Sequence, residues 1–228
     1  MPWFEVVSED ETELSPAEHA FLAALRAHCA AWAPTESSET LIRSDVDGPH
    51  TRVIAFVSLI DEGGPGERGV VLMDAGVHLL DNRLQGDRLD SQDFTLPERP
   101  SSWALAATGT PDELAAASAV WFRHVLERPI VLYVWIHDGY AYANRYDFAD
   151  TGEPLCQSYN KRYAPPGQVD ELMAAGHVSR TGWVQTTGLP TPTTYIHIRG
   201  DFTKGAVLPG VQAATRRGPS SGLWEHDS

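Results

Sequence analysis

The chain has 228 residues, of which 42% are hydrophobic and 21% charged, so it can bury a real core as one large domain or two small ones and lacks the signature of disorder. Its formal net charge is -14. That field repels phosphate backbones, which argues against direct nucleic-acid binding and for a basic partner.

The acid is unevenly placed. Residues 1–100 hold 19 Asp/Glu against 7 Arg, a balance of -12, while the remaining 12 Asp/Glu and 10 Lys/Arg leave -2 for residues 101–228. The first residues run from Met1 through Trp3 and Phe4 into Glu9, Asp10, Glu11 and Glu13, without the basic start and apolar middle of a secretory signal. The longest clean apolar run, about Pro129 to Ile136, is far short of the ~20 residues that span a bilayer. A cytoplasmic protein without membrane association is the expectation. Cys29 and Cys156 then read as two buried thiols and not as a disulfide.

In chain order, residues 3–8 read as an opening strand. Ser15-Pro16-Ala17-Glu18 is a capping box with proline at the first helical position, and Phe21, Leu22, Leu25, Cys29 and Trp32 recur at helical spacing up to Pro34. Arg52 to Ile60 and Val70 to Leu80 form a long hairpin around Gly63-Gly64-Pro65-Gly66. Residues 81–100 look irregular. Trp103 to Ala107 reads as a strand, and Thr110-Pro111-Asp112-Glu113 opens a second helix whose stripe is Leu114, Ser118, Trp121, Phe122 and Val125, ending before Pro129. Both halves thus share a strand, helix, strand, strand order, a weak sign of duplication. Beyond Asp150-Thr151-Gly152 the chain becomes loop-rich, with a short helix near Gln168 to Ala175, Gly176 as its stop, and strands at Trp183 to Thr187 and Thr194 to Arg199. From about Lys204 its Gly, Pro and Ser content predicts a flexible tail over 204–228, in which Trp224 docks back onto the domain or onto a partner. The fold class is α+β: a mixed, mostly antiparallel sheet flanked by two main helices, in a single domain over 1–203 with an acidic sub-half (1–100) and an aromatic-rich one (101–203).

Residues 130–148 permit a register argument. Asp138-Gly139 signals a two-residue type I′ turn, so His137 faces Tyr140. Strict alternation then pairs Trp135 with Tyr142, Tyr133 with Asn144 and Val131 with Tyr146 on one face, and leaves Ala141, Ala143, Arg145 and Asp147 on a smoother face suited to the second helix. The result is an aromatic ladder of Tyr133, Trp135, Tyr140, Tyr142 and Tyr146 with His137 and Asn144 at its polar points. Tyr and Trp serve both at pockets and as cross-strand pairs stabilising a sheet. The ladder is therefore either a binding cleft or a core face covered by the 150–200 region.

Arg128-Pro129-Ile130, Tyr140 to Tyr146, Phe148-Ala149-Asp150-Thr151-Gly152, Gly176-His177-Val178 and Gly182-Trp183-Val184-Gln185-Thr186 resemble phrases of uncharacterised actinobacterial cytoplasmic proteins of unknown function, over residues 110–201. The resemblance implies a cytoplasmic location and carries no activity, cofactor or site residue with it.

The motifs GxxxxGK[ST] and HExxH are absent; Gly64-Pro65-Gly66-Glu67-Arg68-Gly69 and Gly218-Pro219-Ser220-Ser221-Gly222 have the GxGxxG and GxSxG spacings, but the first falls in the expected hairpin turn and the second in the expected tail, neither between a strand and a helix, so no cofactor is implied. Asp45, Asp47 and His50 could offer oxygen and imidazole ligands to a divalent cation, but Asp-x-Asp-Gly is also ordinary turn chemistry, and the later acidic ligand of an EF-hand is missing. His28, His78 and His124 read as helix or strand residues with ordinary partners. His137 and His197 are the catalytic candidates, able to form an acid/base set with Asp147 or Asp150 if the last strand neighbours the hairpin. Two functions follow. One is a non-catalytic interaction or regulatory protein, immunity-like or adaptor-like, whose acidic half binds a basic protein partner. The other is a small-molecule-binding or hydrolytic protein using an aromatic C-terminal cleft.

Overall fold

The computed structural model describes residues 3–6, 14–32, 38–44, 51–63, 69–90, 92–214 and 218–224, with no account of the side chains of 38–44, 51, 52 and 204. It is an α+β fold of three helices and two mostly antiparallel sheets. The metal candidates Asp45, Asp47 and His50 lie outside the described residues. So do parts of the acidic N-terminal stretch.

The chain divides into two compact units, the first Met1–Ile60 with Met73–Leu126 and the second Asp61–Leu72 with Glu127–Ser228. The first contains helix α1 (Pro16–Cys29), strands β1 (Ser38–Ser44), β2 (Thr51–Asp61), β3 (Val70–Leu80), β4 (Arg83–Leu89) and β5 (Leu105–Thr108), and helix α2 (Pro111–Glu127), with Asp61–Leu72 and Glu127 counted in the second. Both helices start as their sequences require. In α1 the Ser15 backbone N–H donates to Glu18 Oε2 at 2.7 Å and the Glu18 N–H to Ser15 Oγ at 3.3 Å. At the head of α2, Thr110 N–H donates to Glu113 Oε2 at 2.8 Å and Glu113 N–H to Thr110 Oγ1 at 3.4 Å. Phe21, Leu22, Leu25 and Cys29 are buried on α1, as are Leu114, Trp121, Phe122 and Val125 on α2. The Trp121 indole stacks on Trp103 and donates to its carbonyl at 2.8 Å, while Phe122 meets Phe4.

The first sheet is a meander in the order β1-β2-β3-β4-β5. Its fourth strand corrects the expectation of irregular structure after residue 80. Arg83–Leu89 was illegible because Gly86 interrupts an otherwise alternating segment that is half charged or amide. The glycine is there for space, since a Cβ at Gly86 would stand 2.9 Å from Val77 Cγ1 on the neighbouring strand. The expected strand, helix, strand, strand repeat is not seen among the described residues: before α1, Trp3 and Phe4 form a turn and Glu5 a single bridge in place of the expected opening strand, and the first sheet is a plain meander whereas the second is not.

That second sheet contains β6 (Ile130–His137), β7 (Tyr140–Phe148), β8 (Pro154–Tyr159), β9 (Thr194–Arg199), β10 (Gln212–Ala213) and β11 (Gly222–Leu223). Its order is β10-β9-β6-β7-β11, with β8 also on β7 and β10 parallel to β9. Strand β8 lies in the stretch expected to be loop; it opens on a proline, mixes polar with apolar residues, and among the described residues pairs only with β7. Helix α3 (Gln168–Ala174) forms as expected and stops at Gly176, whose φ is 80°. Trp183 to Thr187 is not a strand: Val184 makes one isolated bridge to Val178, and Thr186–Gly188 closes a 3₁₀ turn. The segment expected as a flexible tail supplies β10 and β11, and Trp224 docks back, buried, with its N–H on the Gly139 carbonyl at 2.7 Å. Two-residue strands leave no periodicity to read. Neither cysteine is in a disulfide; Cys29 is buried and Cys156 half-buried. Among the described residues no helix is long and apolar enough to cross a membrane.

Candidate functional site

The β6–β7 hairpin begins as its turn residues dictate. Asp138 and Gly139 have φ of 49° and 80°, the two positive values of a type I′ turn, and His137 pairs with Tyr140. The expected register then fails. Ile136 pairs with Ala141 but Trp135 pairs with Ala143, because Tyr142 is the extra residue of a bulge, so Tyr133 faces Arg145 and Leu132 faces Tyr146. A one-residue shift exchanges the faces of everything beyond it. Asn144 and Tyr146 pass to the reverse face, and the residues assigned to the smooth face, Arg145 and Asp147, come beneath the aromatics. Helix α2, expected against that smooth face, belongs to the first unit and the hairpin to the second.

On the aromatic face, Val131, Tyr133, Trp135, Tyr142 and Ala143 form one buried cluster with Ala149 and Val211, packed by Tyr159, Tyr163, Leu189, Tyr195, Phe202 and Val207. The cover does come mainly from beyond residue 150. Polar tips are spent internally: the Trp135 indole donates to Pro190 O at 2.6 Å, and Tyr133 Oη accepts from Leu208 N–H at 3.0 Å. Gln168 Nε2 donates to Tyr142 Oη at 3.3 Å. On the reverse face Tyr146 donates to Asp61 Oδ2 at 2.8 Å, and Asn144 Nδ2 donates to Ser158 Oγ and Ser220 O. Tyr140 is the exposed member, 38% accessible and stacked on Tyr163 at 5.0 Å. Burial raises the phenol pKa of Tyr133, of Tyr142, and of Tyr159, the last to about 12, so these hydroxyls stay protonated.

The proposed acid/base groups are neighbours in topology but not in space. Strand β9 does lie beside β6, with His197 opposite Val131, and Val131 opposite Asp147. Two strand spacings put His197 about 10 Å from Asp147, and six residues of β6 put it about 20 Å from His137. Each group has other company. His197 Nε2 lies 2.8 Å from Arg199 O and its ring packs on Phe202, while His137 Nε2 lies 3.4 Å from Asp138. Asp147, buried, takes two bonds from Arg145 Nε and one at 2.8 Å from Arg145 Nη2. Burial raises its pKa, against the bonds and charge of Arg145, which pull it down. Asp150 instead holds Arg128 through a two-point contact at 2.7 and 2.9 Å. Among the described residues no group of three His, Cys, Asp or Glu could hold a metal ion.

Each unit carries a concavity. The first, about 740 Å³, lies on β3, β4 and β5, where His78 is already directed at the Phe94 carbonyl at 2.8 Å and the lining is mainly leucine, alanine and threonine. The second, about 530 Å³, is lined by the end of β8, the loop to Lys161, Gly182–Val184 and Ser221. Trp183 stands in it 54% exposed. Set against family models, curated proteins and solved structures, the chain matches none. Sequence reasoning missed this groove because four separate segments build it, Val169 of α3 being the fourth. Its one local signal was an indole next to Gly182, with a φ of 81°, in a segment read as strand.

Proposed function

We propose that this chain is a non-catalytic recognition protein, immunity-like or adaptor-like, whose acidic first half binds a basic protein partner. The observation that carries the reading is the charge asymmetry, -12 over residues 1–100 against -2 over the rest. Such a field accelerates encounter with a cationic surface and disfavours nucleic acid. The separation of His137 from His197, and the spending of the aromatic tips inside the fold, support binding in preference to catalysis. Titrating the 15N-labelled protein with a Lys/Arg-rich peptide and a matched Asp/Glu-rich peptide tests it. Shifts confined to acidic residues of 1–100, given by the basic peptide alone and lost at high salt, are expected. Equal response to both peptides, or none to the basic one, sinks the reading.

A second reading has its own observation, the groove beside Trp183. It makes the chain a small-molecule-binding protein with a C-terminal aromatic site, built from residues other than the hairpin ladder. A half-exposed indole in a concavity of this size is how many small-molecule sites are made.

A further inference from the structure

We infer that the groove at Trp183 binds a small planar carboxylate, an aromatic ring carrying one negative charge. This rests on the second reading above and adds the ligand class. Several donors line the groove. Ser158 Oγ accepts from Asn144 Nδ2 at 2.7 Å, and Ser221 Oγ accepts from Asn160 Nδ2 at 2.8 Å. With a lone pair of each hydroxyl occupied, its O–H remains to donate. Lys161 adds an exposed ammonium and Trp183 an indole N–H. Three acceptors close by are already engaged: Asn160 Oδ1 by Arg162 N–H at 3.1 Å, Trp183 O by Ser179 N–H at 2.8 Å, and Val184 O by Gln157 Nε2 at 3.4 Å. A ligand suited to these walls brings acceptors and no donors, as a carboxylate does.

Charge narrows the class further. Lys161 is one of two lysines in a chain of net charge -14, and it is the one cation lining the groove. One ammonium balances one carboxylate, whereas a polyphosphate would meet the repulsion of the whole molecule with a single compensating charge. Trp183 supplies the rest, an indole for a flat ring, with the buried Val184 in the same lining.

The test is titration of the 15N-labelled full chain with 2-naphthoate and with neutral 2-naphthamide, following the Trp183 indole N–H, which is assigned by its loss in Trp183→Phe. Naphthoate should shift that resonance saturably, bind about tenfold more tightly than the amide, and lose about tenfold in Lys161→Met. Lys161 is exposed, so this variant keeps the fold, and Ser221→Ala provides a second, smaller loss. If the amide binds as well as naphthoate, or Lys161→Met changes nothing, the carboxylate assignment is overturned while the groove reading stands. If neither compound moves Trp183, both fall.

Discussion

Trp135 faces Ala143 across the second hairpin, not Tyr142, because Tyr142 is the extra residue of a bulge two pairs from the turn. That single residue decides which side chains lie beneath the C-terminal cover and which lie on the reverse of the sheet. It brings Arg145 under the rings of Tyr133 and Trp135, at 5.7 and 5.8 Å from their centroids, and sends Asn144 and Tyr146 away from them.

Replacing Trp135 by Ala should destabilise the protein by about 3 to 5 kcal/mol, the cost of emptying a buried aromatic site. The side chain is 2% exposed and its indole N–H is satisfied internally. Urea denaturation followed by far-UV circular dichroism measures this, and a loss under about 1 kcal/mol would show that the face is not core.

Gly86→Ala should cost about 1 to 3 kcal/mol, because the new methyl would meet Val77 Cγ1 at 2.9 Å and Leu105 Cβ at 3.2 Å inside the first sheet. The midpoint of denaturation should fall with an unchanged slope. An unchanged midpoint would mean that the sheet yields at no cost.

Cys29 should resist thiol reagents in the native protein and react once it is unfolded. Its side chain is fully buried and burial pushes its pKa up to about 12, so almost no thiolate is present at neutral pH. Mass spectrometry after native and denaturing alkylation separates the two states; native labelling of Cys29 at the rate of an exposed thiol would contradict its burial.

The Arg128–Asp150 pair should stabilise the second unit above pH 3.8 and lose that contribution in acid. Burial alone would raise the Asp150 pKa, but the bonds and charge of Arg128 outweigh it and hold the carboxyl below 3.8. A carboxyl lowered on folding contributes above its unfolded value, and the contribution is lost as pH falls through the folded one. Asp150→Asn should therefore cost about 1 kcal/mol at neutral pH, because solvent screens the partly exposed carboxylate, with the difference from the parent shrinking as pH falls below 3.8. Asp147 runs the other way, since its pKa is raised and its ionisation is the form the fold disfavours. A difference independent of pH would refute the Asp150 assignment.

Local signals were readable where one segment contains its own reason. Ser15 and Glu18, Thr110 and Glu113, the stripes ending in Cys29 and Val125, and the Asp138-Gly139 turn all involve partners within a few residues, so their geometry follows from spacing. Strands β4 and β8 escaped because their reason lies on another strand: Gly86 makes sense only beside Val77, and Cys156 only opposite Tyr146.

For the candidate site the division is sharper. By itself the sequence determined the α+β class, both capped helices, the turn of the aromatic hairpin and the lopsided charge, since each depends on local backbone preference, hydrophobic period or a count of ionisable groups. Only the tertiary structure decided that Tyr142 is bulged, that Trp224 returns to Gly139, and that Ser158, Lys161, Trp183 and Ser221 line one groove. Those outcomes come from packing between residues tens of positions apart, where a one-residue slip costs little locally and reverses a whole face.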